Sequence, residues 1–134
     1  MRKLIVAVLA ATILAAPAAA EAKPRLSPEA KLEKMLEGRV AGEPQRCIYL
    51  PSIRNTRVID KTAIVYDAGK TLWVNRPDNG ASSLDDDDIL VTKLHNASLC
   101  SIDTVQLRDR SSYFYSGFVS LGDFVPYRKV AAAD

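Results

Sequence analysis

Histidine occurs once in this chain, tryptophan once and cysteine twice, and each scarcity closes off a kind of chemistry. A single imidazole, His95, cannot form a histidine pair on a metal. Beside Asn96 and Ser98 it is weak ground for nucleophilic catalysis. Two cysteines far apart, Cys47 and Cys100, exclude the close C-x-x-C arrangement that tunes a redox thiolate or starts a zinc site. Six glycines are scattered, so no glycine-rich phosphate loop or nucleophile elbow is present. Long apolar runs are also missing, apart from one at the start.

That run reads as a processing signal. Met1-Arg2-Lys3 is a basic lead, and Leu4 to Ala16 is apolar but for Thr12. It is shorter than the roughly 20 residues of a membrane span. Pro17 breaks it, and Ala18-Ala19-Ala20 offers a cleavage site before Glu21; a cut after Ala22 fits nearly as well. The expectation is a periplasmic or secreted protein cut near Ala20, with no lipid-bearing cysteine and no stable membrane insertion. Losing Arg2 and Lys3 lowers the 18 basic residues by two, to match the 16 acidic ones. A neutral domain has no global field to draw it to nucleic acid or an anionic membrane.

Behind the signal, residues 21–45 read as a lead-in carrying a helix over 27–37. Ser27 caps it, Pro28 takes the first helical position and Gly38 stops it. Leu32, Met35 and Leu36 share one face, a stripe narrow enough for a covering helix. Val40 to Gln45 reads as a linker, and a β domain is expected over 46–130, with 131–134 as a fraying tail. Strand signals fall at Cys47–Leu50, Thr56–Asp60, Ala63–Asp67, Thr71–Asn75, Ile89–Lys93 and Thr104–Arg108. A last hairpin is expected to turn near Ser116-Gly117, with Phe124–Tyr127 packing the end down. Ile64-Val65-Tyr66 and Leu72-Trp73-Val74 put apolar groups on both faces of their sheet, so each face needs a cover. The expected fold is mainly β: a small antiparallel rolled sheet or barrel of about six to seven strands, with one N-terminal α-helix packed on it.

Candidate sites are few. In an exported chain, Cys47 and Cys100 are most simply a structural disulfide closing the β domain. Asp85, Asp86, Asp87 and Asp88 form the strongest local charge and a candidate calcium site. The spaced ligand pattern of a calcium loop and its closing glutamate are absent, which favours a solvated acidic loop. Arg54, Arg76, Tyr113 and Tyr115 are candidate ligand contacts should the fold bring them together. Asn96-Ala97-Ser98 matches a glycosylation acceptor, but the alanine-rich signal is bacterial in style and no glycan is expected. No cofactor is expected.

Several segments together resemble an uncharacterised family of small exported bacterial proteins, a domain of unknown function. They are Arg46-Cys47-Ile48, Ser52-Ile53-Arg54-Asn55-Thr56-Arg57-Val58-Ile59-Asp60 and Leu72-Trp73-Val74-Asn75-Arg76. Leu99-Cys100-Ser101-Ile102-Asp103 and Leu121-Gly122-Asp123-Phe124-Val125-Pro126 complete the set. Members of that family carry two further cysteines where this chain has Ala81 and Val119. Their joint loss leaves Cys47 and Cys100 as mutual partners and raises the question of how the Asp78 to Asp88 loop is held. The resemblance implies no catalytic signature.

The expected function is a non-enzymatic binding or envelope-accessory domain, whose partner is a protein or small molecule of the cell envelope. One rival is an exported inhibitor presenting the Asp78 to Asp88 loop. The other is a small enzyme using carboxylates such as Asp60 or Asp103.

Overall fold

The computed structural model describes residues 20–131; the expected signal segment before Ala20 and the tail beyond Ala131 lie outside the described residues. One helix and ten strands follow in order: α1 (Pro28–Met35), β1 (Arg39–Ala41), β2 (Cys47–Tyr49), β3 (Asn55–Ile59), β4 (Ala63–Asp67) and β5 (Thr71–Asn75). The second half holds β6 (Asp88–Thr92), β7 (Ser98–Cys100), β8 (Thr104–Asp109), β9 (Tyr115–Ser120) and β10 (Phe124–Lys129). No helix among the described residues is long and apolar enough to cross a membrane.

The helix begins where its cap chemistry puts it. The Ser27 hydroxyl accepts the Ala30 N–H at 3.2 Å, Pro28 follows, and Glu29 meets the positive end of the helix dipole. Only Leu32 on this helix is fully buried.

Three antiparallel sheets build the body. The largest has the order β1-β10-β5-β4-β3, the second is the β2-β7 ribbon, and the third runs β6-β8-β9. The period of two along β4 sorts its side chains between two covers. Ile64 and Tyr66 join Leu107, Val119, Leu121 and Phe124 in a core beneath the smaller sheets. Ala63 and Val65 join Leu72, Val74 and Leu32 beneath the helix. Apolar residues on both faces are thereby explained: α1 covers one side and the ribbon with the three-stranded sheet covers the other. At about 25 cal/mol per Å² of apolar surface, a fully buried leucine such as Leu32 contributes roughly 1.5–3 kcal/mol.

The mainly β fold with one packed helix is as read from the sequence, and four details differ. The sheets do not close into a barrel, and the strands number ten rather than six to seven because β1, β7 and β10 lie in segments expected as linker, connector and tail packing. The β domain therefore starts at Arg39, since Val40 pairs with Arg128 in the main sheet. The last hairpin does not turn at Gly117. The Asp109 carboxylate accepts the N–H groups of Ser111 and Ser112 at 3.0 and 2.7 Å and forms the turn earlier, leaving Gly117 inside β9 opposite Leu107. Those bonds, led by the one from Ser112, hold the Asp109 carboxyl below its usual range.

Cys47 and Cys100 are bonded to each other and stand directly opposite in the β2–β7 ribbon. Ser101 N–H donates to the Arg46 carbonyl at 2.7 Å, which makes the cysteines the non-hydrogen-bonded pair of the ladder, where side chains approach most closely.

Candidate functional site

A groove of about 730 Å³ lies between the free edges of two sheets. Its size falls within the roughly 300–1,000 Å³ typical of ligand sites. Strand β3 ends the five-stranded sheet and β6 ends the three-stranded one, so each has one neighbour only. Thr56 to Asp60 line one wall, and Asp88, Ile89, Leu90 and Thr92 line the other. Leu50, Leu99 and Tyr66 form an apolar floor, while Lys31 and Met35 of α1 border the rim.

Loop contacts close one end. Lys61 N–H donates to the Leu84 carbonyl at 3.0 Å, and Asp86 N–H donates to Asp60 Oδ1 at 2.7 Å. Carboxylate oxygens of Asp60, Asp85 and Asp86 lie within 4.8 Å of one another there. None of the three has an ion-pair partner among the described residues, whose salt bridges are Arg76–Glu29 and Arg110–Asp87.

Tyr66 is 4 % exposed, and burial raises its hydroxyl above its ordinary value. The hydroxyl has no hydrogen-bond partner among the described residues, yet no fully enclosed side-chain oxygen or nitrogen is left unpaired. The oxygen therefore meets solvent, on the floor of the groove.

The four acidic residues read as a candidate calcium loop do not converge. Asp85 and Asp86 turn toward Asp60, and Asp87 pairs with the Arg110 side chain at 3.2 Å. Asp88 is buried, accepting the Ser116 hydroxyl at 3.0 Å and the Asp85 N–H at 3.2 Å. The sequence run placed these charges together; the fold divides them among Asp60 of the β3–β4 turn, Arg110 and Ser116.

Nor do the candidate ligand contacts share one site. Arg54 lies before β3 with its guanidinium against Gly69. Arg76 reaches back to Glu29 in the first turn of α1, at 2.5 and 3.2 Å, which holds the glutamate's carboxyl down and the guanidinium's value up. Tyr113 and Tyr115 project, 65 % and 56 % exposed, near the β8–β9 turn. Tyr115 lines a smaller hollow with Gly80, Ser83 and Phe118. The carboxylates Asp60 and Asp103 each hold a backbone N–H, Asp103 that of Cys100 at 2.7 Å. His95 is exposed.

The Asp78 to Asp88 loop is tied down despite lacking a second disulfide. Asp78 N–H donates to the Ser120 carbonyl at 3.0 Å, Leu84 is buried, and Gly80 sits with φ of 83° against the Phe118 carbonyl, where a side chain would collide. A Cβ on Gly80 would stand 3.1 Å from Val119 Cα, so the turn leading into Ala81 rests against Val119.

The groove was not visible in the sequence because its walls are strands about thirty residues apart whose edge positions depend on topology. One signal was present: within the run Ile89–Lys93, Ile89-Leu90-Val91 is apolar and the only charge is the closing Lys93. Edge strands usually carry charges or proline within them. No family model, curated protein or solved structure matches this chain.

Proposed function

We propose that this protein is an exported bacterial binding domain of the cell envelope, of the uncharacterised small-protein family its sequence resembles, and that it receives its partner in the groove between β3 and β6. The observation that carries this reading is the groove itself. It offers an apolar floor, the solvent-facing hydroxyl of the otherwise buried Tyr66 and carboxylates gathered at one end. Convergence of a few polar groups on an apolar hollow is what binding sites require. Export is supported by the basic-apolar-small pattern before Glu21 and by the disulfide, which suits an oxidising compartment.

Amide-resolved NMR of the oxidised protein, titrated with short peptides and envelope sugars, tests it. Shifts confined to Thr56–Asp60 and Asp88–Thr92, and erased by Leu90→Arg, are expected. A footprint elsewhere, on the exposed aromatic hairpin for example, would overturn the reading.

A second reading keeps one observation in its favour. The firmly held Asp78 to Asp88 loop suits presentation to another protein's cleft, as an exported inhibitor would need. Replacing exposed Ser82 and Asp87 should then weaken inhibition of the target, while Leu90→Arg should not.

A further inference from the structure

We infer that the occupant of this groove is an extended polypeptide strand that pairs through its main chain with the free edge of β6 and places a lysine or arginine among Asp60, Asp85 and Asp86. The inference rests on the groove being the binding site and goes further by naming the chemistry of what enters it.

The main-chain groups come first. Asp109 N–H donates to the Phe114 carbonyl at 3.0 Å, on the side of β8 toward β9. Its register partner Asp88 is therefore in a non-hydrogen-bonded pair with it. Donors and acceptors alternate in direction along a strand, so those of Leu90 and Thr92 point away from β8, toward the groove. Asp88 N–H confirms the phase: it bonds the Asp85 carbonyl at 3.0 Å and not β8. The opposite wall has the same character. Thr56 N–H is taken by the Asn55 side chain at 2.9 Å, on the side away from β4, which puts the main-chain groups of Val58 on the free edge too.

A sugar or a small apolar ligand has no regular row of donors and acceptors to match such an edge, whereas a peptide backbone does. Between Ile89 and Thr92 the edge of β6 holds no proline, lysine or bulge to repel an incoming strand. Side chains on one face of that strand meet Leu50, Leu99 and the Tyr66 hydroxyl.

Charge supplies the second half. The three clustered carboxylates repel one another, and none of them is in an ion pair among the described residues. A cationic side chain at the closed end relieves that repulsion, and an acidic one adds to it. Arg110, one of the basic residues lining the groove, is already paired with Asp87.

Three blocked peptides of alternating threonine and valine test this with the oxidised protein: one ends in lysine, one in glutamate, and one repeats the first with alternate amides N-methylated. Binding is read by fluorescence anisotropy and by backbone amide shifts. The lysine peptide should bind about tenfold or more tighter than the glutamate peptide. N-methylation should abolish binding, and the Leu90 amide should shift. D60N with D86N should remove the preference for lysine while the protein stays folded. Equal binding of all three peptides, or shifts centred on Tyr113 to Phe118, would overturn the inference. Should none bind at about 1 mM while sugars still shift groove amides, the strand is the wrong occupant and the groove reading survives. Silence of the groove to peptides and sugars alike overturns both.

Discussion

Replacing Asn75 with leucine probes the clip that fastens the turn before β10 to the centre of the main sheet. Asn75 is fully enclosed; its Nδ2 donates to the Gly122 carbonyl at 2.7 Å, and its Oδ1 accepts the Gly122 N–H at 3.1 Å. Leucine fills similar space and can make neither bond. Both main-chain groups of the buried Gly122 are then stranded, at about 1–3 kcal/mol each. With partial relaxation the loss comes to about 2–5 kcal/mol, from a total of about 5–15 for a domain of this size. Taking about 3 kcal/mol and a urea slope of about 1.5 kcal/mol per M, the midpoint falls by about 2 M with the slope unchanged. The control is Asn96→Ala. It also deletes a side-chain bond, to Ser98 N–H at 2.8 Å, but at an exposed site, so it should cost less than about 1 kcal/mol. If urea curves show Asn75→Leu no more destabilising than Asn96→Ala, enclosure does not set the cost and the reasoning is refuted.

Removing the disulfide by replacing Cys47 and Cys100 with serine frees a loop spanning a separation of 53 residues, and by the chain-entropy model should cost about 4 kcal/mol; calorimetry of oxidised and variant protein checks it. Tyr66 gives a pH signature. Its hydroxyl stays protonated in the fold above the ordinary value of 10.0, so the unfolded chain releases that proton first. Stability from this group is intact below pH 10 and falls above it, by at most about 1.4 kcal/mol per pH unit. Urea titrations at rising alkaline pH should show that decline flattened in Tyr66→Phe, and parallel curves would contradict it. The Arg76–Glu29 pair is about half exposed on both sides, so Arg76→Ala should lower stability by under about 1 kcal/mol in low salt and by nothing measurable in high salt. Because Glu29 is held below its ordinary 4.5, that small gain exists above this value and disappears as the pH drops further.

The hairpins β3–β4–β5 were legible because their local signals agree with their final environment. Ala63–Asp67 and Thr71–Asn75 are apolar on both faces and end in turn residues, and both faces are covered. Ser27-Pro28-Glu29 marked the helix for a similar reason: caps are local chemistry. Three strands left no such mark. Three residues each in β1 and β7 are too few to show alternation. Strand β10 was concealed by Pro126, a residue rarely found inside a sheet. Pro126 is accommodated because its face of the strand looks past the end of β1, where its carbonyl accepts Gly42 N–H at 2.7 Å, so its missing donor leaves β5 unaffected. The groove lay further still from the sequence, since Asp60 meets Asp86 only once two hairpins have been placed.

The position of β10 decides how the main sheet is held together. It runs between β1 and β5, so it joins the strand that follows the helix to the β3–β4–β5 hairpins. Without Phe124–Lys129, β1 has no neighbour, β5 has an open side, and Phe124 is missing from the core. Loss of this one strand therefore takes two strands from the sheet, its own and β1.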